Sequence, residues 1–137
     1  GYPGSLVKEH HHWCVLLRPA QATLGALILG AKSEAIAFSD LPPESFTELH
    51  QAISSIEAML RDFKPYDRIN YLMLMMVDPH VHMHVLPRYA RPQFFDATEF
   101  PDAGWPGPPD LKSAPVLTDK LRKNLLWTLQ LRMSGES

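Results

Sequence analysis

The chain has 137 residues, of which 45% are hydrophobic and 20% charged, which suits one domain over residues 1–137 with a buried core. Its 13 basic and 15 acidic side chains give a formal net charge of −2 with no block of Lys and Arg, which argues against a long nucleic acid as partner but allows a small phosphorylated metabolite. No apolar run reaches the ~18–20 residues that span a membrane, and no signal peptide opens the chain, so we expect a cytoplasmic protein without a membrane partner.

Two short apolar runs early in the chain predict strands at residues 13–17 and 24–29, with residues 18–23 as the loop between them. Cys14 lies in the first run. Because it is the single cysteine, it cannot form an internal disulfide, and we interpret it as a packed strand residue. Residues 31–38 are predicted to form a short helical turn.

The clearest predicted helix covers residues 44–63. Apolar side chains recur there at three- and four-residue spacing and form one stripe: Phe46, Leu49, Ile53, Ile56, Leu60 and Phe63. Pro42 and Pro43 precede the helix, where a missing N–H costs little, and Pro65 ends it. Such a stripe needs a sheet to pack against.

Residues 71–77 are nearly all apolar and predict a strand that is buried on both faces. Asp78 and Pro79 form a tight break, and residues 80–86 then alternate histidine with apolar side chains. Because about two residues separate the two runs, we expect them to form an antiparallel hairpin.

Proline and aromatic residues are concentrated between residues 91 and 115. A disordered linker seldom carries so many aromatic side chains, so we expect an ordered, irregular arm that lies over the domain or over a partner subunit. Residues 118–133 predict a closing helix, with Thr118 as a candidate N-cap.

The predicted strand at residues 80–86 places His80, His82 and His84 on one face, because side chains two residues apart share a face. The apolar side chains between them can pack on the long helix, so the histidines must face a cleft or solvent. Histidine is well suited to move protons or to attack an electrophile near neutral pH. Three interpretations follow: exposed histidines, a metal site, or nucleophilic catalysis at phosphorus.

The last two interpretations make different geometric demands. Neighbouring histidines on one strand face are roughly 6.6 Å apart and the outer two roughly 13 Å, so one metal with bonds of about 2.0–2.1 Å could take two of them. It would need a third ligand, for which the run His10, His11 and His12 is a candidate. In a catalytic site the middle histidine, His82, would attack phosphorus. Its other ring nitrogen would need a fixed acceptor, such as a backbone carbonyl.

Residues 80–88, with the sequence HVHMHVLPR, resemble the signature of the histidine triad superfamily, which commonly continues into Pro-Arg. The resemblance extends upstream to the strand–loop–glycine–strand pattern of residues 16–29 and to Asp40 and Leu41 before the long helix. It covers a triad core from about residue 13 to residue 88. The likeness is greatest to the bacterial branch described as diadenosine-tetraphosphate hydrolase-like.

The resemblance implies an α+β fold, with an antiparallel sheet, one long packed helix and a C-terminal helix, and it implies a homodimer. It also implies a nucleotide hydrolase or nucleotidyl transferase that acts at the α-phosphate of a dinucleoside polyphosphate or nucleoside phosphoramidate. His82 would be the nucleophile, the backbone carbonyl of His80 would fix its ring, and His84 would contact the phosphate and the bridging oxygen. No metal cofactor is needed for the covalent step, although Mg²⁺ often accompanies polyphosphate substrates.

The sequence departs from the family pattern just before the triad. Many relatives place Gln and then Ser or Thr at the positions that are Met76 and Val77 here, and those polar residues contact phosphate. Two alternatives therefore stand beside the enzyme. One is a nucleotide-binding or regulatory module with weak catalysis, and the other is a metal-binding protein of the same fold.

The same resemblance suggests binding residues on the early strands. Leu16 and Ile28 align with apolar positions of the base pocket, although both suit a plain core equally well. Arg18 aligns with a ribose-binding Asn of some relatives and is better suited to phosphate. A surface arginine at the end of a loop is the alternative for Arg18.

Further candidates lie near and after the triad. Asn70 is close to the position of a polar loop residue in relatives, and Arg88 could reach a distal phosphate or form a surface ion pair. Trp105 could stack on a base, close the partner's site or serve as a buried anchor. Asp78 could hydrogen-bond a triad histidine, although a turn residue before Pro79 is the favoured interpretation.

Overall fold

The computed structural model describes residues 5–112, 114–115 and 117–134, which form a mixed α+β domain. The helices are α1, Pro43–Phe63, and α2, Asp119–Ser134, and a short 3₁₀ helix covers Phe38–Asp40. The strands are β1 Leu6–Glu9, β2 Trp13–Leu17, β3 Leu27–Ala31, β4 Arg68–Leu72, β5 His82–Arg88, β6 Gln93–Phe95 and β7 Thr98–Phe100.

Strands β1 to β5 form one sheet in the order β1-β2-β3-β5-β4, and every neighbouring pair is antiparallel. This is the α+β architecture expected from the resemblance. Helix α1 covers one face, and the indole Nε1 of Trp13 donates a hydrogen bond of 2.8 Å to the carbonyl of Ser45, which ties β2 to the start of α1. Neither described helix is long and apolar enough to cross a membrane.

Helix α1 matches the predicted helix closely because its local signals agree. Pro43 occupies the first turn, and the backbone N–H of Lys64 donates to Leu60 before Pro65 ends the element. Ile56 and Leu60 are fully buried, as the apolar stripe predicted, but Phe46 is exposed. At the start of the helix the side chain that faces the core is therefore Ser45, not Phe46.

The prediction of a buried strand over residues 71–77 is wrong. Strand β4 ends at Leu72, and residues 73–81 form a long connection to β5. Leu74, Met76 and Val77 are 50%, 84% and 101% exposed. Apolar composition suggested burial, but Met75 adopts a left-handed backbone conformation with φ of 50°, which an extended strand cannot contain. The expected antiparallel pairing of the flanking strands is confirmed, although a long loop replaces the tight turn.

Other differences are smaller. Strand β1 was not predicted, because Leu6–Glu9 carries little apolar signal. Strand β3 begins at Leu27, so the apolar residues 24–26 belong to the loop before it. Residues 31–38 do not form the expected helical turn, since Ala31 ends β3 and the 3₁₀ helix begins only at Phe38.

The described part of the predicted arm, which excludes residue 113, is ordered and largely irregular. It opens with a hairpin of β6 and β7, turned by Asp96 and Ala97 with positive φ. Helix α2 follows and packs on α1 and β1. Its N-cap is Thr118, as predicted, since the hydroxyl Oγ1 accepts a hydrogen bond of 3.1 Å from the backbone N–H of Leu121.

Candidate active site

Strand β5 presents two of the three histidines on the sheet face opposite to α1. His82 pairs with Gly30 and His84 with Ile28 across the ladder to β3, while Met83 and Val85 point into the core. This is the alternation predicted for the strand. His80 precedes the strand in a bend, so the three histidines do not form one regular row.

The ring of His82 is fixed by the backbone. Its Nδ1 lies 2.7 Å from the carbonyl oxygen of His80. A carbonyl oxygen only accepts hydrogen bonds, so Nδ1 must carry the proton and the neutral ring keeps its lone pair on Nε2. This tautomer leaves the second nitrogen available as a nucleophile.

His84 has a different partner and a different electrostatic environment. The guanidinium Nε of Arg18 donates to Nδ1 of His84 over 3.4 Å, which leaves the proton of the neutral ring on Nε2. Burial, reinforced by the charges of Arg18 and His82, lowers the pKa of His84 below its ordinary value of 6.5. Near neutral pH, His84 is therefore an uncharged hydrogen-bond donor whose ring centroid is 5.4 Å from that of His82.

His80 is held by a carboxylate. One oxygen of Asp78 accepts hydrogen bonds of 3.0 Å from both the backbone N–H and the ring Nδ1 of His80. These two bonds, the backbone one first, lower the pKa of the Asp78 carboxyl group, so it stays ionised near neutral pH. Asp78 thus combines both roles considered from the sequence, as a turn residue and as a partner of a triad histidine.

A cleft of about 530 Å³ opens beside the histidines, and we call it the triad cleft. Its floor comes from β2 and β3 and includes Leu16 and Ile28, both half-buried, and the buried Cys14. Its remaining wall is the end of the connection between β4 and β5. The lining residues on that side are Leu74, Met75, Met76, Val77, Asp78, His80 and Val81.

Three predicted binding residues lie in a different place. Asn70, Arg88 and Trp105 line a second cavity of about 530 Å³ together with Arg68. Arg88 is only 3% exposed, and it donates to Asp102 over 2.6 and 2.9 Å and to the side chain of Asn70 over 2.8 Å. Within this chain, Arg88 therefore forms a buried ion pair, not the surface ion pair considered from the sequence, and it joins the arm to β5.

Sequence reasoning missed several residues of the triad cleft. Gly30 leaves space opposite His82, and Leu74 adds an apolar side chain to the outer wall. Neither carries a local signal, because their position follows from strand register and from a loop conformation. Asp102 was also missed, although an acidic residue in a Pro-rich arm is a natural partner for a buried arginine.

The metal site considered as an alternative is not formed by the described residues. No group of three or more His, Cys, Asp or Glu side chains among them has a geometry that could hold a metal ion. His11 and His12 stack edge to face, and the backbone N–H of His12 donates to Glu48, so this run packs near the start of α1.

Comparison with known proteins places the fold. No protein-family model and no curated sequence matches the chain. Solved structures do match: a histidine triad protein from Bradyrhizobium japonicum has a TM-score of 0.74 and 18% identity over 93% of this chain and 89% of its own. One from Marinobacter aquaeolei has a TM-score of 0.73 and 20% identity over 96% and 90%.

A hypothetical histidine triad nucleotide-binding protein from Sulfolobus tokodaii is also similar, with a TM-score of 0.70 and 15% identity over 96% of this chain and 84% of its own. At such low identities the likeness concerns the fold. The chain therefore has the antiparallel α+β fold of histidine triad proteins.

Proposed function

We propose that the protein is a nucleotide hydrolase or nucleotidyl transferase that acts at an α-phosphate through a covalent intermediate on His82. The observation that carries the proposal is the hydrogen bond of 2.7 Å between Nδ1 of His82 and the carbonyl of His80. It fixes the nucleophilic tautomer before substrate binds, so no free energy is needed to select it.

In the first step, the lone pair on Nε2 of His82 attacks the α-phosphorus. The bond between phosphorus and the leaving atom breaks, and its electron pair departs with that atom, which takes a proton from water. The modified ring then carries the nucleotidyl group on Nε2 and a proton on Nδ1, so it is cationic, and the carbonyl of His80 faces the charged N–H.

In the second step, water adds to phosphorus, the bond to Nε2 breaks, and its electron pair returns to the ring. The proton released by water passes to the solvent. Arg18 and the Nε2–H of His84 are suited to the negative phosphate oxygens, because one is cationic and the other is an uncharged donor held beside His82.

The base would rest on the floor of the triad cleft, where Leu16 and Ile28 offer apolar surface. A homodimer remains part of the proposal, and Trp105, which lines the second cavity, would then close the partner's site. We expect a mass of about 31 kDa in solution by light scattering, twice the 15.5 kDa of one chain.

The covalent step uses no metal, so EDTA should leave phosphoramidate turnover unchanged, whereas Mg²⁺ would accompany a polyphosphate.

Substitution of the nucleophile tests the proposal. His82→Asn should reduce turnover of nucleoside phosphoramidates or dinucleoside polyphosphates by about a thousandfold or more, with an unchanged thermal melting curve. His50→Asn, which changes an exposed histidine on α1, is the matched control and should keep full activity. Full activity of the His82 variant would refute the mechanism.

A second candidate function is a nucleotide-binding module with weak catalysis. Met76 and Val77 favour it, because they stand where relatives supply polar phosphate contacts. Tight nucleotide binding by the wild-type protein, without product over hours, would support the module over the enzyme.

A further inference from the structure

The outer wall of the triad cleft is apolar and exposed. Leu74, Met76 and Val77 line the cleft and are 50%, 84% and 101% exposed. Apolar side chains scattered singly on a surface need no explanation, but three on one short segment beside reactive groups form a candidate contact surface. We call these three residues the apolar lip.

The apolar lip is held in place from behind. Met73 and Met75 pack against the main hydrophobic core, between and beside the exposed residues. Met75 has a φ of 50°, a conformation that a non-glycine residue rarely adopts and that concentrates at functional sites. Met73 and Met75 therefore anchor the segment, while the side chains of the apolar lip stay exposed beside the cleft.

The charges around the cleft do not suit a polyphosphate leaving group. Besides the three histidines, the described residues that line the cleft include two ionisable side chains, the thiol of Cys14 and the carboxylate of Asp78. The carboxylate would repel phosphate. The neighbouring cation is Arg18, held beside His84 and suited to a single phosphate. A leaving group with two or more further phosphates would find no Lys or Arg side chain among the described lining residues.

We propose that Leu74, Met76 and Val77 determine specificity for the leaving group, selecting an uncharged one with an apolar body over a polyphosphate. The inference rests on the proposed function, because it concerns the group expelled by His82. The preferred substrate is then a nucleoside monophosphate joined through its α-phosphate to an apolar amine. The base lies over Leu16 and Ile28, and the amine lies against the apolar lip.

The size of the preference follows from the surface that the amine can bury. A tenfold ratio in kcat/KM corresponds to about 1.4 kcal/mol, which requires roughly 55 Å² of apolar surface removed from water. A hexyl chain can bury that much against the lip, whereas a methyl group cannot. We therefore expect a preference of about tenfold or more for the longer amine.

The test compares leaving groups on one nucleoside. The kcat/KM of wild-type protein is measured for the hexylamine and methylamine phosphoramidates and for the corresponding dinucleoside tetraphosphate. The hexylamine compound should be preferred by about tenfold over methylamine and should exceed the tetraphosphate. Equal rates for the two amines, or a preference for the tetraphosphate, would overturn the inference.

Substitutions at the lip assign the preference to these residues. Met76→Ala combined with Val77→Ala removes most of the apolar surface of the lip without adding a polar phosphate contact, and it should reduce the ratio of hexylamine to methylamine kcat/KM to about two or less. Leu131→Gln, which changes an exposed apolar residue on α2, is the matched control and should keep the ratio. A ratio that survives in the double variant would overturn the assignment.

A binding measurement separates this inference from the proposed function. In His82→Asn protein, the hexylamine compound should bind about tenfold more tightly than the methylamine compound by calorimetry. If the affinities differ in this way but the wild-type protein shows no turnover, the role of His82 as nucleophile is refuted and the role of the apolar lip in binding stands. Equal affinities would refute the lip, whatever the turnover.

Discussion

The three histidines differ in what holds them, and this difference determines what each can do. His82 donates to a backbone carbonyl, His84 accepts from Arg18, and His80 is paired with Asp78. Each contact fixes one ring nitrogen and leaves the other free for a defined task. The alternating sequence alone suggests three equivalent imidazoles, which would not have such distinct tasks.

Removing the charge beside His84 should raise its pKa. Burial is the larger cause of the lowered value and Arg18 the second, so Arg18→Gln should recover part of the shift toward 6.5. NMR titration of the His84 ring measures this, with Arg68→Gln, an exposed arginine at the second cavity, as control. An unchanged or lower pKa in the Arg18 variant would contradict the electrostatic account.

The same shift affects stability with a defined sign. Because the pKa of His84 is lower in the folded protein, the folded state binds fewer protons than the unfolded state as pH falls below about 6.5. Stability from this group is therefore full above that pH and declines as pH falls through the window beneath it. Urea unfolding from pH 7.5 to 5 should show a smaller decline in His84→Gln than in wild type, and equal declines would contradict the account.

At the scale of elements, local signals predicted some parts well and failed at others. Helix α1 and the cap at Thr118 followed from spacing, prolines and a hydroxyl, all of which act within a few residues. The segment after Leu72 could not be predicted, since its apolar side chains suit a buried strand as well as a cleft wall. The shared face of His82 and His84 followed from period-two alternation, whereas His80 lies before the strand. The hydrogen bond between Arg18 and His84 depends on long-range register.

The N-cap of α2 offers a test at this scale. Thr118→Ala removes the acceptor for the N–H of Leu121 and should lower the free energy of unfolding by about 1 kcal/mol. Thr118→Ser keeps a hydroxyl and should lose only a fraction of that. Chemical denaturation followed by circular dichroism measures both, and equal stability of the Ala variant and wild type would show that the cap contributes nothing.

For the whole molecule, the sheet separates two environments. One face builds the core with α1 and α2, and the other carries the triad cleft and, further along β5, the buried contact between Arg88 and Asp102. The arm is thus joined to the same strand that carries His82 and His84. The stability of the arm and the geometry of the site therefore both depend on β5.

Breaking this contact should destabilise the fold markedly. Asp102→Ala leaves the charge of Arg88 buried without its carboxylate, which typically costs roughly 3–5 kcal/mol. Asp62→Ala removes a carboxylate from an exposed pair with Arg132 and should cost less than about 1 kcal/mol. Urea unfolding compares the two, and similar losses would contradict a structural role for the buried pair.

The central claim is nucleophilic attack by His82, and trapping the intermediate tests it most directly. The protein is mixed for milliseconds with phosphoramidates of the four common nucleosides and quenched in alkaline denaturant, since phosphorus–nitrogen bonds are acid-labile. Mass spectrometry of the digested protein should find a nucleoside monophosphate group on the peptide that contains His82, and none in His82→Asn. Rapid turnover with no adduct, or an adduct on another residue, would contradict the account.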